Sequence, residues 1–415
     1  MDIINKTAHR LMNVLLKTTA AVPYTAPAKP IKIDKSEFRT DYPFVFVSGF
    51  WSWGPYKKGY ETLPYWGFFN CDNYCKSFTQ SGIRTESADV SPMGSAWDRA
   101  CELYAQLTGT RVDYGRAHSE KFSHSRYGED YTGRGILEKW DEKNKINIIC
   151  HSFGGPTSAL FASLLEYGSD EEKAATADGT LSPLFEGGKG SYIHSITGIA
   201  GAYNGTTLIV ARQAIADCLE LVRSKTLLPS VNPAFIALSK IASAFEKITG
   251  GDTPDPDTGL YDMVPDNSVE LNKTIRTVDS VYYFTVPVCT SKPSADGKRQ
   301  IPDFKVTDPF FALLVPFLGL INQTTPGGLE LRDAWQMNDG LVNTVSEYGP
   351  AKEEKVFLEK DPCAALDLND IKPGKYYVFK TFAGSHNTLC GGTIGRYPGA
   401  KDYIKNLMEF INRID

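Results

Sequence analysis

Short runs of consecutive hydrophobic residues alternate along the chain with longer stretches of helical periodicity. Residues 42–49, YPFVFVSG, form a continuous apolar run that ends in glycine, and residues 145–150, KINIIC, have the same character. Strands that are buried on both faces of a parallel sheet show this pattern. Residues 97–107 and 156–167 place their apolar side chains at helical spacing. The alternation predicts strands separated by helices.

Later parts of the chain continue this rhythm. Residues 192–199, 281–288 and 376–382 are further predicted strands, and residues 401–414 form a predicted closing helix. Strands that alternate with helices indicate an α/β protein with an open, mainly parallel sheet flanked by helices. Binding sites in such proteins lie at the carboxyl ends of the strands.

Two segments depart from the alternation. Residues 206–250 are rich in apolar residues at helical spacing, and Pro229 and Pro233 divide them into two predicted helices. A helical cap or lid over an apolar cleft is the functional interpretation, and a pair of ordinary surface helices is the alternative. Residues 1–35 read as an N-terminal extension, a short helix followed by a proline-rich linker. Residues 36–415 then form one domain that carries the lid insertion.

Composition is that of an ordinary folded protein, since 42% of the 415 residues are hydrophobic and 22% are charged. The net charge is −5, with acidic and basic residues interspersed, so there is no basic stripe for nucleic acid. No run of about 20 apolar residues could span a membrane. The N-terminal stretch lacks the uninterrupted apolar core of an ordinary signal peptide.

Eight cysteines are spread through a chain too long to need disulfides for stability, so most are expected to be free thiols. Cys71 and Cys75 could form a local disulfide or half of a metal site. No second pair of this spacing completes a four-thiolate site.

A candidate nucleophile follows the second apolar run. Residues 150–155, CHSFGG, join a predicted strand directly to a predicted helix. A strand, a tight turn that presents a serine and a helix form the nucleophile elbow of the α/β-hydrolase fold, usually with the motif G-x-S-x-G. Cys150 stands at the first glycine, and a small residue there still avoids a clash. Ser152 is the predicted nucleophile.

Serine needs a general base, which is usually histidine because its pKa lies near the working pH. His386 follows the last predicted strand and a Gly-Ser turn, late in the chain, where this fold places its base. The other five histidines lie in the N-terminal extension, beside the nucleophile, within a strand and in a polar loop: His9, His151, His194, His118 and His124. His386 is therefore the predicted base.

The third member is a carboxylate between Ser152 and His386, because the chain order in this fold is serine, acid, histidine. Asp339, in the turn sequence MNDGLV, is the best candidate. From the residues alone, Asp333 and Asp361 are nearly as plausible.

Several blocks of the sequence resemble the bacterial true lipases of Geobacillus and staphylococcal type and the related zinc-containing esterases of anaerobic bacteria. The blocks run in the family's order from about residue 43 to residue 390, so they cover most of the chain. They are Gly49-Phe50, Trp53-Gly54, residues 97–102 (WDRACE), residues 112–115 (VDYG), His118 and His124, His151-Ser152, residues 181–188 (LSPLFEGG) and residues 338–340 (NDG).

The resemblance implies Ser152 as nucleophile, Asp339 as the acid and His386 as the base. It also implies an oxyanion hole formed by the backbone N–H groups of Phe50 and Phe153. The choice of Asp339 depends mainly on the resemblance.

A structural zinc site belongs to the same resemblance. Its ligands would be Asp98, His118, His124 and Asp262, a mixed nitrogen and oxygen set that suits tetrahedral zinc. All four positions are filled by the protein, so the metal would tie a loop insertion and the cap region to the core rather than activate water.

Three positions depart from the family. Ser48 stands where the family commonly has histidine, and Phe153 replaces its usual glutamine, but backbone donors do not depend on side chains. Residues 387–393 carry no carboxylate, so calcium is not predicted near His386.

Together these features predict a carboxylester hydrolase that works through an acyl-enzyme. Acylglycerols, aliphatic esters and aliphatic polyesters are the expected substrates, presented as small esters or at a lipid–water interface. A thioesterase or acyltransferase on the same triad, and a non-catalytic binding protein, are the alternatives. The resemblance implies an extracellular location, and a cytoplasmic one stays open because no clear signal peptide is present.

Overall fold

The computed structural model describes residues 32–70, 72–211, 254–309, 311–312, 314–362, 367–392, 397 and 399–415. Nearly all of the predicted N-terminal extension, residues 1–35, lies outside these ranges. Of the predicted lid, residues 206–250, only 206–211 are described.

Seven parallel strands form the central sheet. In chain order they are β1 (Phe44–Val47), β2 (Thr85–Ser87), β3 (Ile146–His151), β4 (Ile193–Ile199), β5 (Tyr282–Val286), β6 (Lys355–Phe357) and β7 (Tyr376–Val378). Their order across the sheet is β6-β7-β5-β4-β3-β1-β2. Every neighbouring pair is parallel. The sheet has the α/β-hydrolase fold that the sequence predicts.

Helices cover both faces of the sheet. Those described are α1 (Tyr74–Gln80), α2 (Ala96–Thr108), α3 (Arg116–Phe122), α4 (Gly154–Tyr167), α5 (Asp170–Ala175), α6 (Pro183–Glu186), α7 (Thr207–Val210), α8 (Gly259–Asp262), α9 (Pro265–Thr274), α10 (Val315–Gly319) and α11 (Ala400–Asn412). Short 3₁₀ helices span Phe68–Asn70, Gly190–Tyr192, Asp333–Trp335, Thr344–Tyr348 and Leu368–Asp370.

Within the described ranges, four two-stranded ladders lie outside the central sheet. They pair Arg111–Asp113 with Tyr127–Asp130, Val288–Cys289 with Phe382–Ala383, Ser291–Pro293 with Gln300–Pro302, and Gln323–Thr324 with Glu330–Leu331. The first pair encloses α3 and forms the loop insertion that carries His118 and His124.

Successive residues of β1 show why the buried strands read as continuous apolar runs. Phe44 and Phe46 belong to a core cluster that includes the apolar face of α11. Val45 and Val47 belong to a second cluster with α2 and α4. Side chains alternate between the two faces of a strand, and helices cover both faces, so every position of β1 is buried.

The predicted strands 281–288 and 376–382 are each divided in the structure. The central sheet takes only β5 and β7 from them, and Val288–Cys289 pairs separately with Phe382–Ala383. Pro287 lies at the break and has no N–H to continue the ladder, although its carbonyl accepts from Phe382 N–H at 2.7 Å. The separate ladder leads toward His386.

The edge strands β2 and β6 were not predicted, because three residues are too few for a periodic pattern. Cys75, Cys101, Cys150, Cys289 and Cys390 are free thiols, as expected, while Cys71 lies outside the described residues. None of the helices in the described ranges is both long and apolar enough to cross a membrane.

Candidate active site

Ser152 lies in a tight turn between β3 and α4. Its φ angle is 57°, in the left-handed region that a residue with a side chain adopts at a cost of about 1–2 kcal/mol. Three hydrogen bonds hold this backbone. Ser152 N–H donates to the Ile199 carbonyl at 3.0 Å, and the Ser152 carbonyl accepts from Gly155 and Ala202 at 2.9 and 3.1 Å. The hydroxyl is thus presented at the carboxyl end of the sheet.

Two glycines make room for this turn. A Cβ on Gly49 would lie 2.6 Å from Ser152 Cβ, and one on Gly154 would lie 2.7 Å from the Val47 carbonyl oxygen. The same Cβ on Gly154 would stand 3.3 Å from Cys150 Cβ. Because Gly154 has no side chain, there is room for the Cys150 side chain at the position where the motif usually has its first glycine.

His386 and Asp339 meet in the protein interior. His386 Nδ1 donates to Asp339 Oδ2 at 2.5 Å, and His386 N–H donates to the Asp339 carbonyl at 3.0 Å. Oδ1 of the acid accepts from Leu341 and Val342 N–H at 2.9 and 2.8 Å. Asp339 is fully buried and His386 is 3% exposed. Donors on both oxygens hold this carboxylate in place, and the carboxylate in turn orients the imidazole.

The residue that precedes the nucleophile joins this pair to the elbow. His151 Nε2 lies 2.9 Å from the His386 carbonyl, and Tyr65 Oη lies 2.6 Å from His151 Nδ1. Burial, with the charge of His386 adding to it, lowers the pKa of His151 to about 3, so its ring is neutral. A neutral ring has one N–H, and the carbonyl acceptor requires it on Nε2. Tyr65 then donates to Nδ1, and its oxygen accepts from Gly49 N–H at 3.3 Å.

Arg99 organises the loop after β1. Its buried guanidinium donates to the Ser48 carbonyl, to the Gly49 carbonyl at 3.2 Å and to Ser91 at 2.5 Å. Its Nε donates to Thr157 on α4 at 3.1 Å. A buried charge that is bonded to several carbonyls fixes their positions, because removing it would leave them unpaired.

Two backbone donors at this loop and elbow have no acceptor among the described residues. Neither Phe50 N–H nor Phe153 N–H donates a hydrogen bond within the part of the chain that the structure describes. Phe153 is fully buried and Phe50 is partly buried, and buried N–H groups are nearly always paired. They could bind an oxygen that develops negative charge.

Tyr65 and Arg99 did not emerge from the sequence as site residues. Arg99 lies within the matching block 97–102, but the sequence does not show that its side chain is completely buried. Tyr65 carries no local signal, since it reaches His151 only through the folding of residues 52–70.

A second group of acids and histidines lies apart from the elbow, at α2 and the loop insertion. The ligand atoms of Asp98, His118, His124 and Asp257 all lie within 4.8 Å of one another, and these four residues are called the metal cluster below. His118 Nε2 is 3.1 Å from Asp98 and 3.2 Å from Asp257, and His124 Nε2 is 3.3 Å from Asp257. The donor set fits zinc.

Unsatisfied atoms support a metal at this cluster. His124 Nε2 and Asp257 Oδ1 are buried without a hydrogen bond of ordinary geometry among the described residues. The other nitrogen of His124, Nδ1, donates to the Ser125 carbonyl at 2.9 Å, which leaves Nε2 as the lone-pair side. Metal-ligating histidines are commonly oriented in this way.

The structure does not bring Asp262, the predicted fourth ligand, into this cluster. Asp262 Oδ2 accepts from Ala96 N–H at 2.7 Å, at the first turn of α2. The first N–H groups of a helix have no partner within it and attract a carboxylate. Asp257, five residues earlier in the loop before α8, faces both histidines instead.

A family model described as "Lipase-like, C-terminal domain" matches residues 40–223. Lipase 2 of Staphylococcus aureus is 29% identical over 379 residues, which make up 86% of this chain and 52% of that protein. The chain therefore spans about half the length of this relative.

Two solved structures superpose on nearly the whole chain. EstA from Clostridium botulinum has a TM-score of 0.74 and 26% identity, with 98% of each chain covered. The lipase of Staphylococcus hyicus has a TM-score of 0.69 and 25% identity, with 92% of this chain and 96% of that chain covered. By sequence and by fold, this chain is similar to the staphylococcal lipases and to EstA from Clostridium botulinum.

Proposed function

We propose that this chain is a carboxylester hydrolase with Ser152, His386 and Asp339 as its catalytic triad. The observation that carries the proposal is the buried His386–Asp339 pair, held through His151 against the elbow that presents Ser152. The relatives named above are lipases and an esterase, which supports the same reaction class.

Each group has a defined step in this mechanism. Ser152 Oγ attacks the ester carbonyl while His386 takes its proton, and Asp339 stabilises the imidazolium. The backbone N–H groups of Phe50 and Phe153 receive the oxyanion. Collapse of the tetrahedral intermediate expels the alcohol, which takes the proton from His386. Water, deprotonated by the same histidine, then releases the acid and restores Ser152.

Apolar surroundings support lipid or aliphatic ester substrates. The rings of Phe50 and Trp51 stack at 5.9 Å beside the proposed oxyanion hole. Ala211 and Leu208, at the start of the predicted lid, pack with Phe311 in a small apolar cluster that also touches Leu341, two residues from Asp339. We also propose an extracellular location, on the basis of the similarity to the staphylococcal lipases.

Covalent labelling and kinetics test the nucleophile together. An organophosphonate should label Ser152, and Ser152→Ala should abolish both labelling and p-nitrophenyl ester hydrolysis, with a loss of about 10⁴-fold or more in kcat/KM. Ser36→Ala, which removes an exposed hydroxyl, should keep both. Full hydrolysis by Ser152→Ala would refute the assignment.

We further propose that the metal cluster binds one structural zinc ion. Asp98, His118, His124 and Asp257 would hold it, and their four side chains would complete its tetrahedral coordination. The ion would link α2, the loop insertion and the loop before α8, and would take no part in ester cleavage.

Metal analysis separates the two candidate aspartates. The purified protein should contain about one zinc per chain. Asp257→Asn should lose most of it, while Asp262→Asn should retain it, because an amide oxygen can still accept from Ala96 N–H. Loss of zinc in Asp262→Asn but not in Asp257→Asn would identify Asp262 as the ligand instead.

A further inference from the structure

Glu347 is a buried acid that the proposed mechanism does not use. It lies in the 3₁₀ helix Thr344–Tyr348, five residues beyond the turn that carries Asp339, and none of its side chain reaches solvent. A lone ionised carboxylate in such a place costs several kcal/mol. The carboxyl must therefore be neutral or strongly paired.

Its two oxygens have different partners. Oε2 accepts from Val288 N–H at 2.6 Å. The carboxyl also lies within hydrogen-bonding reach of the Asp339 carboxyl, and Oε1 receives no hydrogen bond from any N–H or O–H in the described residues. Two ionised carboxylates cannot hydrogen-bond to each other, since both are acceptors only. Contact between them requires a proton on one.

The distribution of donors decides which acid holds that proton. Asp339 accepts from Leu341 N–H, Val342 N–H and His386 Nδ1, so donors already face both of its oxygens. Glu347 accepts from only one N–H among the described residues. Burial, and next the charge of Asp339, raise the pKa of Glu347 well above its ordinary value.

We propose that Glu347 is a positioning residue for the triad, a neutral carboxylic acid that donates a hydrogen bond to Asp339. The inference rests on the proposed function, since Asp339 is taken as the triad acid. This bond would give Asp339 a fourth hydrogen-bond donor. It would disperse part of the negative charge of the carboxylate and so weaken its electrostatic attraction to the His386 imidazolium.

The same side chain also joins the acid to the base along the backbone. Glu347 binds Val288, and the Val288–Cys289 strand pairs with Phe382–Ala383. Cys289 then accepts from Gly384 N–H at 3.0 Å, two residues before His386. Glu347 thus fixes Asp339 directly and His386 through a short ladder.

Few titratable groups surround this pair. Asp339 and the Cys289 thiol act on Glu347, and Tyr348 lies next to it in the chain. His386 faces Asp339 on one side and the neutral His151 on the other. A change in the acid limb of the activity profile after mutation of Glu347 can therefore be assigned to the Glu347–Asp339 contact.

Two substitutions test the proposal through the pH profile of kcat/KM. Glu347→Gln keeps the shape, an acceptor for Val288 and a donor for Asp339, so the midpoint of the acid limb should stay within about 0.3 pH unit. Glu347→Met removes the donor, strengthens the attraction between Asp339 and imidazolium, and should move the midpoint upward by about 0.5–1 pH unit. Its kcat should fall by about 10-fold with KM little changed.

Opposite results would overturn the idea. A midpoint that moves downward in Glu347→Gln would mean that an anion had been removed, and an unchanged profile in Glu347→Met would mean that the donor has no role.

Infrared difference spectra provide a measurement that is independent of catalysis. The protonated-acid carbonyl band of the wild-type protein should lose one component in Glu347→Gln, and retention of every component would count against a neutral Glu347. This result stands even if Ser152→Ala shows that the proposed function is wrong, so the two failures can be told apart.

Discussion

The proposed triad and the metal cluster both combine histidines with aspartates, but their geometries suit different chemistry. In the triad, one imidazole meets one carboxylate at 2.5 Å, and backbone N–H groups occupy the other oxygen of that acid. In the metal cluster, His118 contacts two carboxylates, and Asp257 is shared between two imidazoles. In the proposed triad, the carboxylate orients the imidazole of His386. In the metal cluster, the potential ligand atoms of four side chains lie close to one another.

Burial separates the two regions further. The side chains of Asp339 and His386 are 0% and 4% exposed, while those of the metal cluster range from 9% to 26%. A hydrogen bond to an ionised group is strengthened where water is excluded, which suits the orientation of a base. A partly exposed cluster allows an ion to enter. The number of acids that face each imidazole, and their access to water, therefore distinguish the sites.

The largest expected effect comes from removing the charge of the triad acid. Asp339→Asn should lower kcat/KM by about 10⁴-fold, because the amide favours the wrong imidazole tautomer and cannot stabilise imidazolium. Ester hydrolysis and thermal unfolding should be measured on the same preparations.

Asp257→Asn is the matched control, because it makes the same chemical change in the metal cluster. It should keep kcat within about threefold while lowering Tm, provided that the assay temperature stays well below the melting transition. Similar losses of kcat in both variants would erase the distinction between the two regions.

Metal removal addresses the cluster without a mutation. Chelation should lower Tm by about 5–10 °C, since a tightly bound ligand adds roughly 4 kcal/mol to the stability of the folded state. Below the new melting transition, kcat should remain that of the untreated protein, and added zinc should restore Tm. A fall in kcat that follows metal loss in fully folded protein would assign the ion to catalysis.

Sequence patterns predict those parts of the proposed triad that depend on local structure. The elbow could be predicted because β3, Ser152 and α4 are consecutive in the chain. Asp339 needed the family resemblance, since Asp333 and Asp361 lie in the same interval and no local pattern shows which turn reaches His386. The parallel sheet was predicted from its long buried strands, and its three-residue edge strands were missed.

Residues that act through tertiary contacts were beyond prediction. Asp257 and Asp262 are five residues apart, and only the folded arrangement shows that Asp262 is occupied by the α2 terminus. Glu347 lies in the polar sequence NTVSEY, which predicts a surface position. In the structure it is buried against Val288 and Asp339. Long-range packing decides such cases, and one sequence contains no direct record of it.

The pH dependence of the free energy of unfolding tests whether Glu347 is neutral in the folded protein. Because the pKa of Glu347 is raised in the folded protein, the folded state keeps a proton that the unfolded chain releases above about pH 4.5. The wild-type protein therefore loses stability from this group as pH rises from there, and Glu347→Gln does not. The free energy of unfolding of Glu347→Gln relative to wild type should increase by about 1.4 kcal/mol per pH unit from pH 5 upward.

Denaturant titrations at several pH values would measure this slope. Glu61→Gln is the control, because Glu61 has a 74% exposed side chain and is hydrated in both states, so its difference from wild type should be flat. A flat line for Glu347→Gln as well would show that Glu347 ionises in the folded protein as it does in the unfolded chain.

The smallest expected effect concerns the contact that joins the elbow to His386. Tyr65→Phe removes the hydroxyl that donates to His151 Nδ1. The buried nitrogen is then unpaired, which should lower the free energy of unfolding by about 1–3 kcal/mol. A looser His151 holds the His386 carbonyl less firmly, so kcat/KM should fall by about 3–10-fold.

Tyr56→Phe makes the same change at an exposed site, where the hydroxyl donates to the Arg134 carbonyl at 2.7 Å. Water can replace that bond, so both kcat/KM and stability should stay near wild type. Equal behaviour of the two variants would mean that His151 does not depend on Tyr65. In that case Asp339 and its backbone donors alone would position His386. The two regions would then differ only in the number of carboxylates that contact each imidazole.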